Sequence, residues 1–145
     1  MSASLSRAPW WFWAVSLLFL LLNLVACWGY WAEMTLSDEA YLEAYGKVMT
    51  DLRGETPWWS ISGYAIGVWC GLGGTILLLL RKKLCLPFFY ASFLGAIVGW
   101  SWNIIDMRFR DAMGTAGLVF MILIWLECIF IIWFARRMKT KNIIN

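Results

Sequence analysis

Residues 56–83 read TPWWSISGYAIGVWCGLGGTILLLLRKK, and no charge interrupts this stretch before Arg81. A helix that rises about 1.5 Å per residue needs roughly 20 apolar residues to cross a hydrocarbon core of about 30 Å. Three further stretches, residues 8–32, 84–105 and 112–135, contain a single charge among them, that of Glu127. The sequence therefore predicts an all-α membrane protein in which residues 1–145 form one four-helix bundle. Its spans cover about residues 10–31, 58–80, 85–105 and 114–135.

The basic residues lie mostly on one side of these spans. Eight of them precede the first span, follow the fourth or form the turn between the second and third: Arg7, Arg81, Lys82, Lys83, Arg136, Arg137, Lys139 and Lys141. The opposite side carries eight of the nine acids. Short loops rich in Lys and Arg stay in the cytoplasm. Both termini are therefore predicted to be cytoplasmic, in a multi-pass arrangement.

The segment between the first two spans is predicted to form an amphipathic helix over about residues 37–53. Its apolar residues recur at helical spacing: Tyr41, Leu42, Tyr45, Val48, Met49 and Leu52. Thr35 and Asp38 fit a capping box, and Gly54 with Pro57 fits a stop signal. This helix of about four turns is expected on the outer mouth of the bundle or on the bilayer surface. It fits either a lid over the helix ends or a ligand gate or partner surface.

Small residues are concentrated in the second and third spans. Gly63, Gly67, Gly71 and Gly74 recur at helical spacing on the second, and Ser92, Gly95 and Gly99 on the third. Such strips let membrane helices approach closely, so we expect these two spans to pack face to face. The Gly-rich run 71–75 is superficially like a phosphate-binding loop, but it lies inside an apolar span with no preceding strand.

Glu127 is the one charged residue inside a predicted span. Counted from the middle of each stretch, it lies about 5 Å to the cytoplasmic side of the midplane, near the level of Ser16 and Ser92. A carboxylate in hydrocarbon is costly, so Glu127 should face inward and be either protonated or hydrogen-bonded. Asn23, on the same helical face as Ser16, lies about 6–10 Å away along the membrane normal. The group fits either a structural polar clasp or a proton or cation site.

A second polar cluster follows the third span, where Asn103, Asp106 and Arg108 lie beside Trp100 and Trp102. Indole rings prefer the membrane interface, so these residues fit a solvated outer turn. They also fit an aromatic-walled vestibule for a cationic or sugar-like ligand.

The residue content argues against an enzyme. The sequence has no His, no Cys pair at metal-binding spacing and no nucleotide-binding or nucleophile motif. Neither a metal, a cofactor nor a nucleic-acid partner is expected. The run Leu24-Val25-Ala26-Cys27 resembles a lipoprotein cleavage site, but bulky aromatic residues crowd the run before it, so an uncleaved first span is preferred.

Several segments together resemble a family of small, uncharacterised four-span bacterial inner-membrane proteins, whose members are often labelled sugar transporters. The likeness is carried by residues 22–23, 56–58, 71–82, 86–89 with Ser92, and 133–136. Residues 99–103 depart from the pattern. The resemblance implies a bacterial inner-membrane location and the four-span topology, and it implies no substrate.

Two functional classes follow from these features. In the first, the chain is a structural or accessory subunit that contacts a larger membrane protein as well as the lipid bilayer. In the second, it is a small proton-coupled transporter of a small solute that uses Glu127. Four helices with so few polar residues leave little room for a pathway, so the transporter would have to be a homo-oligomer.

Overall fold

The computed structural model describes residues 6–145, which are 86% helical and contain no strand. The five helices are α1 (Trp10–Thr35), α2 (Asp38–Glu55), α3 (Trp58–Leu79), α4 (Cys85–Ile105) and α5 (Met107–Thr140). Of these, α1, α3, α4 and α5 are long and apolar enough to cross a membrane. The predicted all-helical fold with four candidate spans is thereby confirmed.

The four long helices form a ring in which each contacts two others. Helix α3 packs between α1 and α4, and α4 packs on α5. Two pairs of stacked phenylalanine side chains join α1 to α5 and complete the ring of helices. The ring centroids lie 6.1 Å apart for Phe12 and Phe134 and 5.8 Å apart for Phe19 and Phe130. We call the end formed by residues 6–9, 80–84 and 136–145 the basic end. The acidic end is formed by α2 and the α4–α5 junction.

Helices α3 and α4 touch through their backbones along a glycine seam, formed by Gly63, Gly67, Gly95 and Gly99. A Cβ atom on Gly95 would lie 2.5 Å from the backbone nitrogen of Gly67 and 2.7 Å from the carbonyl oxygen of Gly63. A Cβ on Gly63 would lie 2.7 Å from the nitrogen of Gly99. Any side chain here would push the two helices apart. Gly74 lies further along α3, where its Cβ position is 2.8 Å from the Phe89 ring.

The apolar core lies at the basic end, and the tail after α5 completes it. Ile143 and Ile144 are buried, with 4% and 3% of their surface exposed, in the same cluster as Phe12, Leu78 and Phe134. The chain reverses at Asn142, whose φ of 53° is left-handed, so that the Ile143 N–H donates to the Met138 carbonyl at 3.0 Å. Sequence reasoning gave this tail only a basic, topological role.

Arg81 ties the tail to the α3–α4 turn. Its Nε donates to the Ile143 carbonyl at 2.7 Å and its guanidinium to the Ser6 carbonyl at 2.5 Å. Its own carbonyl accepts the Asn145 N–H at 2.9 Å. Its φ of 61° is unusual for a residue with a side chain. Arg81 therefore holds three parts of the basic end together.

Helix α2 is not the single straight helix that the sequence predicts. The Arg53 guanidinium carbon lies 4.6 Å from the centre of the Tyr41 ring, although twelve residues of straight helix would span about 18 Å. The chain bends at Gly46, whose φ of 82° only glycine adopts easily. Segments 38–45 and 47–55 therefore fold toward each other. Tyr41 and Leu52 are buried, whereas Leu42, Tyr45 and Val48 are exposed.

The cap predicted for α2 at Thr35 is wrong, and the fourth apolar helix is longer than its predicted span. The cap of α2 is Ser37, whose hydroxyl accepts the Ala40 N–H at 3.2 Å, whereas Thr35 bonds back to Trp31 inside α1. The fourth apolar helix, α5, begins at Met107, because Asp106 caps it. It bends at Gly114, where φ is 59°. The predicted span of residues 114–135 is therefore the second segment of a longer element.

Replacing Gly95 with Ala tests the glycine seam. The added methyl group would overlap the α3 backbone, and overpacking of this kind costs about 1–3 kcal/mol. Thermal unfolding in detergent should show the loss. Gly54→Ala is the matched control, because no atom lies within 4 Å of its Cβ position and Ala favours a helix by about 0.5–1 kcal/mol. Equal melting temperatures for the two variants would contradict the seam.

Candidate functional site

Three helices are joined near the middle of the bundle by the polar clasp, which consists of Asn23, Thr75 and Ser92. The Asn23 Nδ2 donates to the Phe19 carbonyl at 2.8 Å within α1 and to Thr75 Oγ1 at 3.3 Å on α3. Thr75 is fully buried, and its hydroxyl donates to the Gly71 carbonyl at 2.9 Å. The Asn23 amide N–H groups and the Thr75 hydroxyl proton of this α1–α3 contact thus all have acceptors, as a membrane interior requires.

Ser92 extends the clasp to α4. Its hydroxyl donates to the Gly67 carbonyl on α3 at 2.6 Å. Gly71 lies between the two halves of the clasp, because a Cβ there would collide with Asn23 Oδ1 and lie 3.0 Å from Ser92 Oγ. Glycine at position 71 therefore lets two polar side chains from different helices approach the same turn of α3.

A small cavity adjoins the clasp, and every long helix contributes to its wall. The lining residues are Phe19, Asn23, Gly71, Phe89, Ser92, Glu127, Cys128 and Ile131. The cavity offers about 30 Å³ to the centres of water molecules. Since one water needs about 10–15 Å³ by this measure, roughly two waters fit. The cavity is therefore a pocket large enough for water rather than a channel.

Glu127 supplies the only carboxylate of this wall. No side chain among residues 6–145 donates a hydrogen bond to it, and it belongs to none of the ion pairs in that range. The donors of Asn23 and Ser92 are directed elsewhere, to Phe19, Thr75 and Gly67. The clasp therefore holds without Glu127, which is partly exposed and contributes to the cavity wall.

The structure brings together three of the four intramembrane residues singled out from the sequence. Asn23, Ser92 and Glu127 share the cavity. Ser16 does not line it: this residue is fully buried, and its hydroxyl has no partner among residues 6–145. Sequence reasoning missed Thr75, which was considered only as part of a glycine-rich run. The sequence offered one indication of its role. Thr75 lies four positions after Gly71, and a threonine hydroxyl inside a helix can donate to the carbonyl four residues earlier.

The outer polar cluster divides into two parts. Asp106 caps α5 by accepting the Arg108 N–H at 2.9 Å. The Arg108 guanidinium pairs with Asp106 at 2.9 Å and with Glu55 at 2.5 Å, which fastens the end of α2 to the α4–α5 junction. Asn103 lies apart, in a cavity with Trp100 and Arg110 that offers about 10 Å³. That volume holds about one water, so this cavity is too small for a sugar.

The hydrogen bonds from Arg108 set the titration of its two partners. They hold the pKa of the Glu55 and Asp106 carboxyl groups below their ordinary values of 4.5 and 3.8. Groups with a lowered pKa stabilise the folded state fully above the ordinary value, and that contribution is lost as the pH falls through the lowered one. The link between α2 and α5 is therefore intact at neutral pH and breaks only in acid.

Comparisons of this chain with protein families, with curated proteins and with solved structures find no match. The resemblance to small bacterial four-span proteins thus gains no support from them.

Replacing Arg108 with Gln should loosen α2 at pH 7. We expect the protection of amides 47–55 against hydrogen exchange to fall in the variant, because Glu55 loses its partner. The unmodified protein should show the same loss as the pH falls below the ordinary carboxyl pKa values of 4.5 and 3.8, and the variant should show little further change. Arg110→Gln is the control, since Arg110 forms no ion pair with residues 6–145. Identical protection in all three proteins would refute the link.

Proposed function

We propose that this chain is a multi-pass protein of a bacterial inner membrane that acts as a structural or accessory subunit of a membrane assembly. Both termini lie in the cytoplasm and α2 lies in the periplasm. The distribution of charge supports this orientation, because eight of the twelve Lys and Arg residues belong to the basic end. The Trp residues of both helix ends fit the two membrane interfaces.

The small size of the polar interior is the observation that supports the accessory role. The Asn23, Thr75 and Ser92 donors are used in contacts within and between helices. The cavity beside Glu127 fits only about two waters. One protomer therefore has no room along the described residues for a solute path. A bundle whose interior is used for its own packing acts through its surface, and the lipid bilayer and a membrane-protein partner are what that surface contacts.

The orientation is tested by two cysteine variants at exposed lysines. Lys47→Cys places a thiol on α2, and Lys82→Cys places one on the α3–α4 turn. In intact cells, a membrane-impermeant maleimide should label Lys47→Cys and should reach Lys82→Cys only after the inner membrane is permeabilised. The unmodified chain gives the background from its four native cysteines. Labelling of Lys82→Cys in intact cells would reverse the topology.

The accessory role is tested by purification of the native assembly. An affinity tag placed before residue 1 avoids the tail that closes the core. Extraction in a mild detergent, followed by mass spectrometry with intensity-based stoichiometry, should recover one membrane protein at a fixed ratio to this chain. A second, distinguishable tagged copy reports self-association in the same experiment. Recovery of this chain alone, or of its own copies only, would contradict the accessory role.

One observation favours a second candidate, a small oligomeric proton-coupled transporter of a small solute. Glu127 lines a cavity that has room for water and has no side-chain donor among residues 6–145, which is the environment of a carboxyl group that exchanges protons. Four helices with so small a cavity require several protomers to build a pathway.

The two candidates differ in what Glu127→Gln does. Gln keeps the shape and hydrogen-bonding capacity of the side chain but does not titrate. A transporter should lose proton flux in reconstituted liposomes with its melting temperature unchanged, whereas an accessory subunit should keep its partner. Glu39→Gln removes one exposed carboxylate from α2 and is the matched control. Proton flux that is equal in the Glu127 and Glu39 variants would dismiss the transporter.

A further inference from the structure

The cavity beside Glu127 presents acceptors and almost no donors. Asn23 uses its Nδ2 for Phe19 and Thr75, and Ser92 uses its hydroxyl proton for Gly67. What these residues leave for the cavity are the Asn23 Oδ1 and the Ser92 lone pairs, together with the Glu127 carboxylate. The Cys128 thiol is the one remaining donor of the wall, and thiols donate weakly.

The direction of the Asn23 amide is fixed by chemistry. The Phe19 carbonyl can only accept, so the amide nitrogen must be the atom 2.8 Å from it. The amide oxygen is then the atom that lies against Gly71, where it meets the space of an added Cβ. Ser92 Oγ flanks the same glycine, 3.0 Å from that position. Two uncharged oxygens from α1 and α4 thus converge on Gly71, in the cavity wall that Glu127 of α5 shares.

Charge and size restrict what this wall can bind. The wall has a single acid, and α1, α3 and α4 contribute no titratable or charged group to it, while α5 contributes only Cys128 besides Glu127. A lone carboxylate in a low-dielectric interior is costly unless a proton or a bound cation neutralises it. One positive charge is sufficient, whereas a divalent ion would leave an excess charge buried. The space has room for about two waters, which is too little for bulky organic cations.

We propose that this cavity binds one small monovalent metal cation, Na⁺ in preference to K⁺, through the Glu127 carboxylate, Asn23 Oδ1 and Ser92 Oγ. Oxygen atoms of carboxylate, amide and water are the ligands that hard cations prefer, and the cavity has room for a water to complete the shell. The site does not depend on the accessory role, because it requires only groups within one protomer. If purification recovers no partner, the cation site can still be present. If no cation binds, the accessory role can still hold.

The test compares the melting temperature of the purified protein in equal concentrations of NaCl, LiCl, KCl and N-methyl-D-glucamine chloride at pH 8. A ligand present at about a hundred times its Kd stabilises the folded state enough to raise Tm by at least about 4 °C. We expect that rise in Na⁺, and less in K⁺ than in Na⁺. Glu127→Gln should abolish the Na⁺ effect, and Glu39→Gln should keep it in full. No salt difference, or a Na⁺ rise that survives in Glu127→Gln, would overturn the proposal.

A second measurement needs no variant. Dicyclohexylcarbodiimide reacts with protonated carboxyl groups in membranes to give an N-acylurea, which peptide mapping locates. Bound Na⁺ should slow the modification of Glu127 at least about tenfold relative to N-methyl-D-glucamine, since it displaces the proton. A modification rate that is the same in both salts means that the site takes only a proton or water, and the proposal fails.

Discussion

The close contact between the backbones of α3 and α4 is the constraint on which the rest of this structure depends. Lipid gives helices no hydrophobic reason to associate, so they gain stability from van der Waals contact and interhelical hydrogen bonds. The glycine seam supplies the first. The second comes from Ser60, which donates to the Gly99 carbonyl at 2.8 Å, and from Ser92, which donates to the Gly67 carbonyl at 2.6 Å. Both serines reach the backbone of the opposite helix because the glycines of the seam have no side chains to keep the helices apart.

The seam also determines what lies beside it. With α4 against α3, the next turn of α3 at Gly71 is open to α1, and Asn23 enters there to meet Thr75. Four helices then converge on a space too small for an organic solute but large enough for water, and Glu127 is the one acid in its wall. The apolar core and the clamped tail at the basic end hold the ring of helices closed. A tightly packed interior with one acceptor-lined cavity is what links the structural role proposed here to the cation site.

The sequence predicted what depends on composition and spacing. Uncharged runs longer than 20 residues gave the long helices, and small residues at helical spacing identified Gly63, Gly67, Gly95 and Gly99. It did not predict features that depend on a single dihedral angle or on distant contacts. The bend at Gly46 is one, since a glycine inside an amphipathic pattern also occurs in straight helices. The burial of Ile143 is another, because it requires a left-handed Asn142 and the carbonyls that Arg81 binds. At the site, Glu127 and Asn23 were predictable because they are polar residues inside apolar spans. The partner of each hydrogen bond was not, because it depends on how the helices pack.

The most direct test of the seam is a distance between glycine backbones in lipid. A Cβ on Gly95 would lie 2.9 Å from the Gly67 Cα, so the two Cα atoms are no more than about 4.5 Å apart, one carbon–carbon bond further. Solid-state NMR of protein labelled with ¹³C at glycine Cα, reconstituted in bilayers, should therefore give a cross-peak between Gly67 and Gly95. Gly67→Ala spectra assign it by its loss. Absence of that cross-peak from an otherwise resolved spectrum would contradict the backbone contact, and with it the clasp and the cavity that the contact creates.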